Sequence, residues 1–156
     1  MQTRLERLLW IAAMALFAAA APGCRQDDDP AGADELWTRI QDAKYRAWER
    51  APGYESRKAS SAPHGDQVEI FVNDVVAGAL DGPAITAWPE GSIVVKDGFD
   101  DDGSPHIVAA MEKRGGAWFY AEWDPDGESL YSGAPSICTD CHAAGADMIR
   151  AFGFPK

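Results

Sequence analysis

The sequence predicts an α+β domain, mainly an antiparallel β-sheet, with a helix before the sheet and a short helix at the C-terminal end. Three observations predict it. A stretch near residue 40 places apolar side chains at helical spacing. Four later stretches are short, rich in β-branched or aromatic residues, and separated by Gly, Pro and Asp turn signals. A Cys-x-x-Cys-His pentapeptide, Cys138 to His142, stands fourteen residues from the C-terminus.

The chain opens with a secretory signal pattern. Arg4 and Arg7 flank Glu6, and Leu8 to Ala21 is an uninterrupted apolar run of fourteen residues, shorter than the roughly 20 that span a bilayer as a helix. Residues 1–23 are therefore expected to be a signal peptide and the mature protein to be exported. Ala21-Pro22-Gly23-Cys24 resembles a bacterial lipoprotein cleavage box, although Ala21 stands where leucine is usual, and Cys24 is the odd cysteine of three. Lipidation at Cys24 and ordinary cleavage within the alanine run are both open, and a lipid anchor is the one membrane attachment expected.

Removing residues 1–23 takes away two arginines and one glutamate, so the formal charge moves from −11 to −12. Such acidity argues against nucleic acid or an anionic lipid surface as partner. The 133 residues that remain suit one domain, residues 34–156, behind an acidic linker at 24–33 in which Asp27, Asp28 and Asp29 have nothing to bury.

The first helix is expected over Asp34–Arg50, with Leu36, Trp37, Ile40, Ala43, Ala47 and Trp48 on one side, Asp34 as cap and Pro52-Gly53 as stop. Residues 54–66 read as loop around a Pro63-His64-Gly65 turn. Gln67–Val72 reads as a strand. Asn73 caps a short helix to about Leu80, stopped by Asp81-Gly82-Pro83. Ser92–Phe99, Pro105–Lys113 and Ala117–Trp123 are three further strands joined by short reversals at 100–103 and 114–116, which makes the sheet antiparallel. The acidic tip at 100–103 fails as an EF-hand, because counting back from Gly103 puts Gly98 at the first ligand position.

Cys138-Thr139-Asp140-Cys141-His142 has the spacing that covalent attachment of one c-type haem requires: two thiols for the vinyl groups and an imidazole, His142, as proximal iron ligand. A zinc half-site would need about two more ligands, and His64 and His106 lie far upstream with no second C-x-x-C. A redox pair would normally follow a strand in a βαβ unit, which is absent from this reading. Haem c also suits export, since attachment occurs outside the cytoplasm in bacteria. The expected location is therefore the periplasm.

The motif is near the C-terminus, so a sixth iron ligand would have to come from upstream: His64, His106, Met111 or Lys96. Met148 lies too near along what should be the same helix. No spacing rule selects one of the four, and an open position would let small molecules bind. A four-helix haem bundle is excluded by the short strands in mid-chain.

Trp37 and Trp48, Pro63-His64-Gly65, Ile70 to Asn73, Pro89 to Lys96, Met111-Glu112-Lys113, Trp118 to Trp123 and the terminal motif together resemble the cytochrome P-460 and cytochrome c′-beta family over residues 34–152. The resemblance implies a mainly antiparallel β fold, a homodimer and a five-coordinate haem. In hydroxylamine-oxidising members a lysine is crosslinked to the haem ring, and Lys96 stands at the matching place. Strand alternation puts Val94, Lys96 and Gly98 on one face, and a buried ammonium is costly unless paired or neutralised. Those members also carry a distal arginine and carboxylate, which here fall near Val68 and near Val108 or Ala109, so no general base is evident. The c′-beta branch implies an apolar distal face that binds nitric oxide, with Phe71 and Phe99 as candidate caps.

The functions expected are therefore nitric oxide or small nitrogen-ligand binding, hydroxylamine oxidation with electrons passed to a partner cytochrome, or electron transfer by a six-coordinate haem.

Overall fold

The computed structural model describes residues 28–156, so the expected signal peptide and Cys24 lie outside the described residues. Helix α1 spans Pro30–Asp42, and a 3-10 turn at Tyr45–Ala47 leads to strand β1, Glu49–Arg50. Then come β2 (Lys58–Ala59), β3 (Gln67–Val72), α2 (Asp74–Leu80), β4 (Ile93–Phe99), β5 (Pro105–Arg114), β6 (Ala117–Trp123), β7 (Ser129–Gly133) and α3 (Ser136–His142). The strands form one antiparallel sheet of order β1-β3-β4-β5-β6-β7, with β2 also paired to β3. The α+β class and the four long strands are as expected. No helix among the described residues is long and apolar enough to cross a membrane.

Both faces of the sheet are covered. On one, Leu36 and Ile40 of α1 and Tyr45 pack on Phe71, Ile93, Val95, Val108 and Trp123. On the other, Ile70, Val72, Val94, Met111, Trp118 and Tyr120 meet Val76 of α2, Trp88, and Ile149 and Phe152 from beyond α3. Burial on both faces explains why β4 reads Ile-Val-Val before Lys96, without clean alternation.

Three local expectations are corrected. The acidic linker is not an idle tether: Asp29 caps α1 by accepting from Gly32 N at 3.0 Å. Ser132 Oγ accepts from Asp29 N at 2.8 Å and donates to Asp28 Oδ1 at 2.9 Å, which ties the helix start to β7. The helix ends at Asp42 rather than Arg50, because Lys44 turns left-handed at φ 51°. That turn delivers Tyr45 to a partner 52 residues away: its hydroxyl donates to Asp97 Oδ1 at 2.6 Å. Finally, β2 and β7 are strands that the sequence did not announce.

Asp97 is 2% exposed and also accepts from Arg46 Nε at 2.7 Å. Asp97→Ala would leave the buried Tyr45 hydroxyl without a partner, an expected loss of about 1–3 kcal/mol in urea unfolding. Tyr45→Phe leaves Asp97 still paired with Arg46 and should cost less. Equal losses would contradict this account.

Candidate functional site

The second face of the sheet is not fully filled. Between it, the loop at 59–64 and the C-terminal segment lies a cavity of about 440 Å³, within the ~300–1,000 Å³ typical of cofactor sites. Its sheet wall is built by register. Lys96 of β4 is opposite Ile70 and Ala109, and Ala109 is opposite Glu122, so these four form one row across β3, β4, β5 and β6. A neighbouring row contains Val94, Met111 and Tyr120, and the row on the other side contains Val68, Gly98 and Ile107.

Helix α3 faces this wall. Cys138 and Cys141 are three apart and Cys138 and His142 four apart, so a helix puts all three on one side, and all three line the cavity. Both thiols are free. Burial, then the charges of Glu122 and Cys141, pushes the Cys138 thiol up to about 11. A redox C-x-x-C cysteine needs the opposite, a thiol lowered towards thiolate. Among the described residues no three His, Cys, Asp or Glu side chains gather as a metal cage.

The His142 ring is fixed from outside the cavity. Its Nδ1 donates to the carbonyl of Met148 at 2.8 Å, which leaves Nε2 as the free, lone-pair nitrogen. Burial lowers His142 below the ordinary imidazole range, although the Met148 carbonyl pulls the other way; Lys96, His64 and Arg150 add to the lowering. A neutral imidazole is the form that ligates a metal.

Met148 is therefore not on the helix of His142, as expected from sequence, but in a turn after it. Asp147 and Met148 adopt φ 44° and 71°, left-handed values that non-glycine residues seldom take. Asp147 holds that turn by accepting from Trp88 N at 2.9 Å and from Lys113 Nζ at 2.9 Å. Trp88 Nε1 donates to the Ala146 carbonyl at 2.9 Å. Burial would raise the Asp147 carboxyl, but Lys113 and Trp88 outweigh it and hold it below its ordinary value.

Lys96 lines the cavity, half-buried, and makes no ion pair among the described residues. Burial lowers its ammonium below the usual range, while Cys141 and Glu122 pull it up and Arg150 lowers it further. Two groups that the sequence reading did not assign also stand here. Glu122 lines the cavity and its Oε2 is 3.0 Å from His64 Nδ1. Tyr120 packs on His142 with ring centres 5.3 Å apart, its buried hydroxyl unpartnered among the described residues. Alternation could have found both, since Trp118, Tyr120 and Glu122 share one face of β6.

Phe71 and Phe99 are corrected. Phe71 is paired with Val95, not with the Lys96 row, and packs on Tyr45 on the helix side of the sheet. Phe99 is three residues from Lys96, hence on the other face, and carries the Arg57 guanidinium at 3.3 Å from its ring centre. Neither lines the cavity. Ala109 faces the cavity and Val108 the helix side, so Glu112 points away and pairs with Arg39 and Arg114. The carboxylate that β5 does not present to the cavity is present on β6, as Glu122, and with Lys96 it makes the wall partly polar rather than the apolar chamber expected. His106 is paired with Asp100 at the hairpin tip, away from it.

Two thiols and one oriented neutral imidazole on one wall of a cofactor-sized cavity fit the attachment set of a c-type haem. No family model matches this chain, and no curated protein does.

The Asp147 clamp makes a prediction. Asp147→Ala strips Lys113, whose side chain is 9% exposed, of its acceptor and should cost about 2 kcal/mol in urea unfolding at neutral pH. A depressed carboxyl gives stability that is present above the ordinary carboxyl range and lost as pH falls through its folded value. The gap between wild type and variant should thus be full at neutrality and shrink below about pH 4. A gap independent of pH would contradict the ion pair.

Proposed function

We propose that this domain is an exported c-type cytochrome of the cytochrome P-460 and c′-beta kind. Cys138 and Cys141 carry one covalent haem, and His142 ligates the iron through Nε2. The observation that carries the proposal is the His142 Nδ1 to Met148 carbonyl bond beside two free thiols in one cavity. When bound, the haem supplies an iron that takes small ligands and exchanges electrons. Export to the periplasm belongs to the proposal, with a lipid anchor at Cys24 as the membrane tie.

The proposed ligand is nitric oxide or a related small nitrogen species. Val68, Ile70, Val94, Ala109 and Met111 make an apolar part of the sheet wall, and apolar surface suits a small neutral ligand better than a charged one. Lys96 and Glu122 stand in one row with Ile70 and Ala109 and would supply polar contacts to whatever binds.

One observation favours a second reading, oxidation of hydroxylamine. Oxidising that substrate releases protons with the electrons, and Glu122 with His64 offers acceptors for them at the cavity. Lys96, on the cavity wall with its ammonium lowered by burial, would be the lysine of the ring crosslink that this reading requires. Electrons would then pass to a partner cytochrome.

The optical spectrum of the dithionite-reduced haem protein separates the readings. Under the first, it is an ordinary c-type spectrum that shifts with nitric oxide, and Lys96→Leu leaves the shift intact. Under the second, the Soret band is broad and strongly red-shifted, and Lys96→Leu restores an ordinary band and abolishes hydroxylamine oxidation. A c-type spectrum unresponsive to nitric oxide, with no hydroxylamine oxidation, would sink both.

A further inference from the structure

We infer that two copies of this chain join through the free edge of β7, in a two-fold pair that continues the sheet from one copy into the other. No residue of β7 lines the cavity, so the use of this edge does not depend on the haem.

The two ends of the sheet are built differently. β3 is covered by β1 and β2, two residues each, and Glu49, Arg50 and Lys58 bring charge to that edge. Short strands and charged side chains are how proteins keep an edge from pairing with another chain. At the other end β7 has five residues, Ser-Leu-Tyr-Ser-Gly, with no lysine, proline or carboxylate among them. It pairs with β6 alone, and among the described residues no further backbone hydrogen bond reaches it. The irregularity between Glu122 and Trp123 leaves Leu130 without a β6 partner, while Tyr131, Ser132 and Gly133 keep regular register.

Apolar surface gathers at the same place. Of the four exposed large apolar side chains among the described residues, three are Leu130, Tyr131 and Ile137, at 49%, 43% and 63% exposure. A strand edge that is open, uncharged and flanked by such side chains is a template for another strand.

Charge selects the occupant. The chain carries a formal charge of −11, and two copies repel wherever they meet through carboxylates. Residues 129–139 are the exception: eleven positions without Asp, Glu, Lys or Arg, the longest such run among the described residues. A strongly charged partner would find nothing there to pair with, whereas a second copy meets no repulsion. An antiparallel strand pairs with itself about a two-fold axis, the self-complementary arrangement of most dimers. Centred on Tyr131, that axis sets Glu128 of one copy beside Ala134 of the other, so the acidic ends do not meet.

The axis stands normal to the sheet and keeps like faces together. Tyr131 is opposite Glu122 and shares the cavity face. Both cavities therefore lie on one face of the joined sheet, and both α1 helices on the other.

The test is sedimentation velocity of the purified, exported haem protein, with hydrogen exchange of the peptide that covers β7. Wild type should sediment at twice the chain mass, and the amides of residues 130–133 should exchange more slowly as concentration rises through the monomer–dimer transition. Replacing Leu130 and Tyr131 together by lysine should halve the mass and leave the haem spectrum unaltered, whereas Lys58→Ala at the opposite edge should leave the dimer intact. Should the double variant fail to accumulate, exchange in the wild type decides. A monomeric wild type, or a dimer that survives the double substitution with its β7 amides unprotected, would overturn the assignment and leave the haem reading as it was. A chain that pairs through β7 yet carries no covalent haem would support the assignment and sink the haem reading alone.

Discussion

The cavity depends on where the His142 ring is held, and one hydrogen bond, from Nδ1 to the Met148 carbonyl, sets it. That carbonyl is aimed by a backbone in the left-handed region at two successive residues, Asp147 and Met148, a conformation that persists only where its surroundings enforce it. Lys113 from β5 and Trp88 from the loop before β4 do so through Asp147. The position of a side chain on a seven-residue helix is in this way transferred to the rigid sheet. A helix so short would not hold a ligand by itself.

The cavity combines two demands that ordinarily conflict. Apolar positions along β3, β4 and β5 stabilise the fold by burial, yet Lys96, Glu122 and His64 are brought into the same space. Each carries a cost unless it is paired or serves a bound group. His64 and Glu122 partly satisfy one another, whereas Lys96 leans on the more distant charges of Cys141 and Glu122. A titratable group whose ionisation is shifted by burial inside a cleft is a candidate functional group. On the helix side of the sheet, by contrast, the buried carboxylates Asp97 and Glu112 are both closed by arginines.

Much of this was legible in the sequence because it follows from local chemistry. Asn73 caps α2 by accepting from Val76 N, and the alternation that put Val94, Lys96 and Gly98 on one face is that of β4. The same parity puts Phe99 on the opposite face from Lys96 and would have ruled it out as a cap, and a register for β3 would have ruled out Phe71. What was not legible is non-local. The end of α1 at Asp42 is set by the bond of Tyr45 to a strand 52 residues on. The structural use of Asp28 and Asp29 depends on Ser132 of β7, a strand whose Leu130 and Tyr131 are exposed and show no buried face. The Asp147–Met148 turn has no composition signal, since neither residue is glycine. Glu122 was visible as a lone acid on the Trp118 and Tyr120 face of β6. Its pairing with His64, though, needed the loop to be folded back over Gly98.

The central claim is that Cys138, Cys141 and His142 hold a haem covalently in this cavity. Its most direct measurement is intact mass spectrometry of the exported protein followed by peptide mapping. The expected result is one haem added to the chain, located on the peptide that contains Cys138 and Cys141, and lost when both are replaced by alanine. A chain recovered without haem from a host that attaches it to other cytochromes, with those two thiols free or joined in a disulfide, would contradict the account.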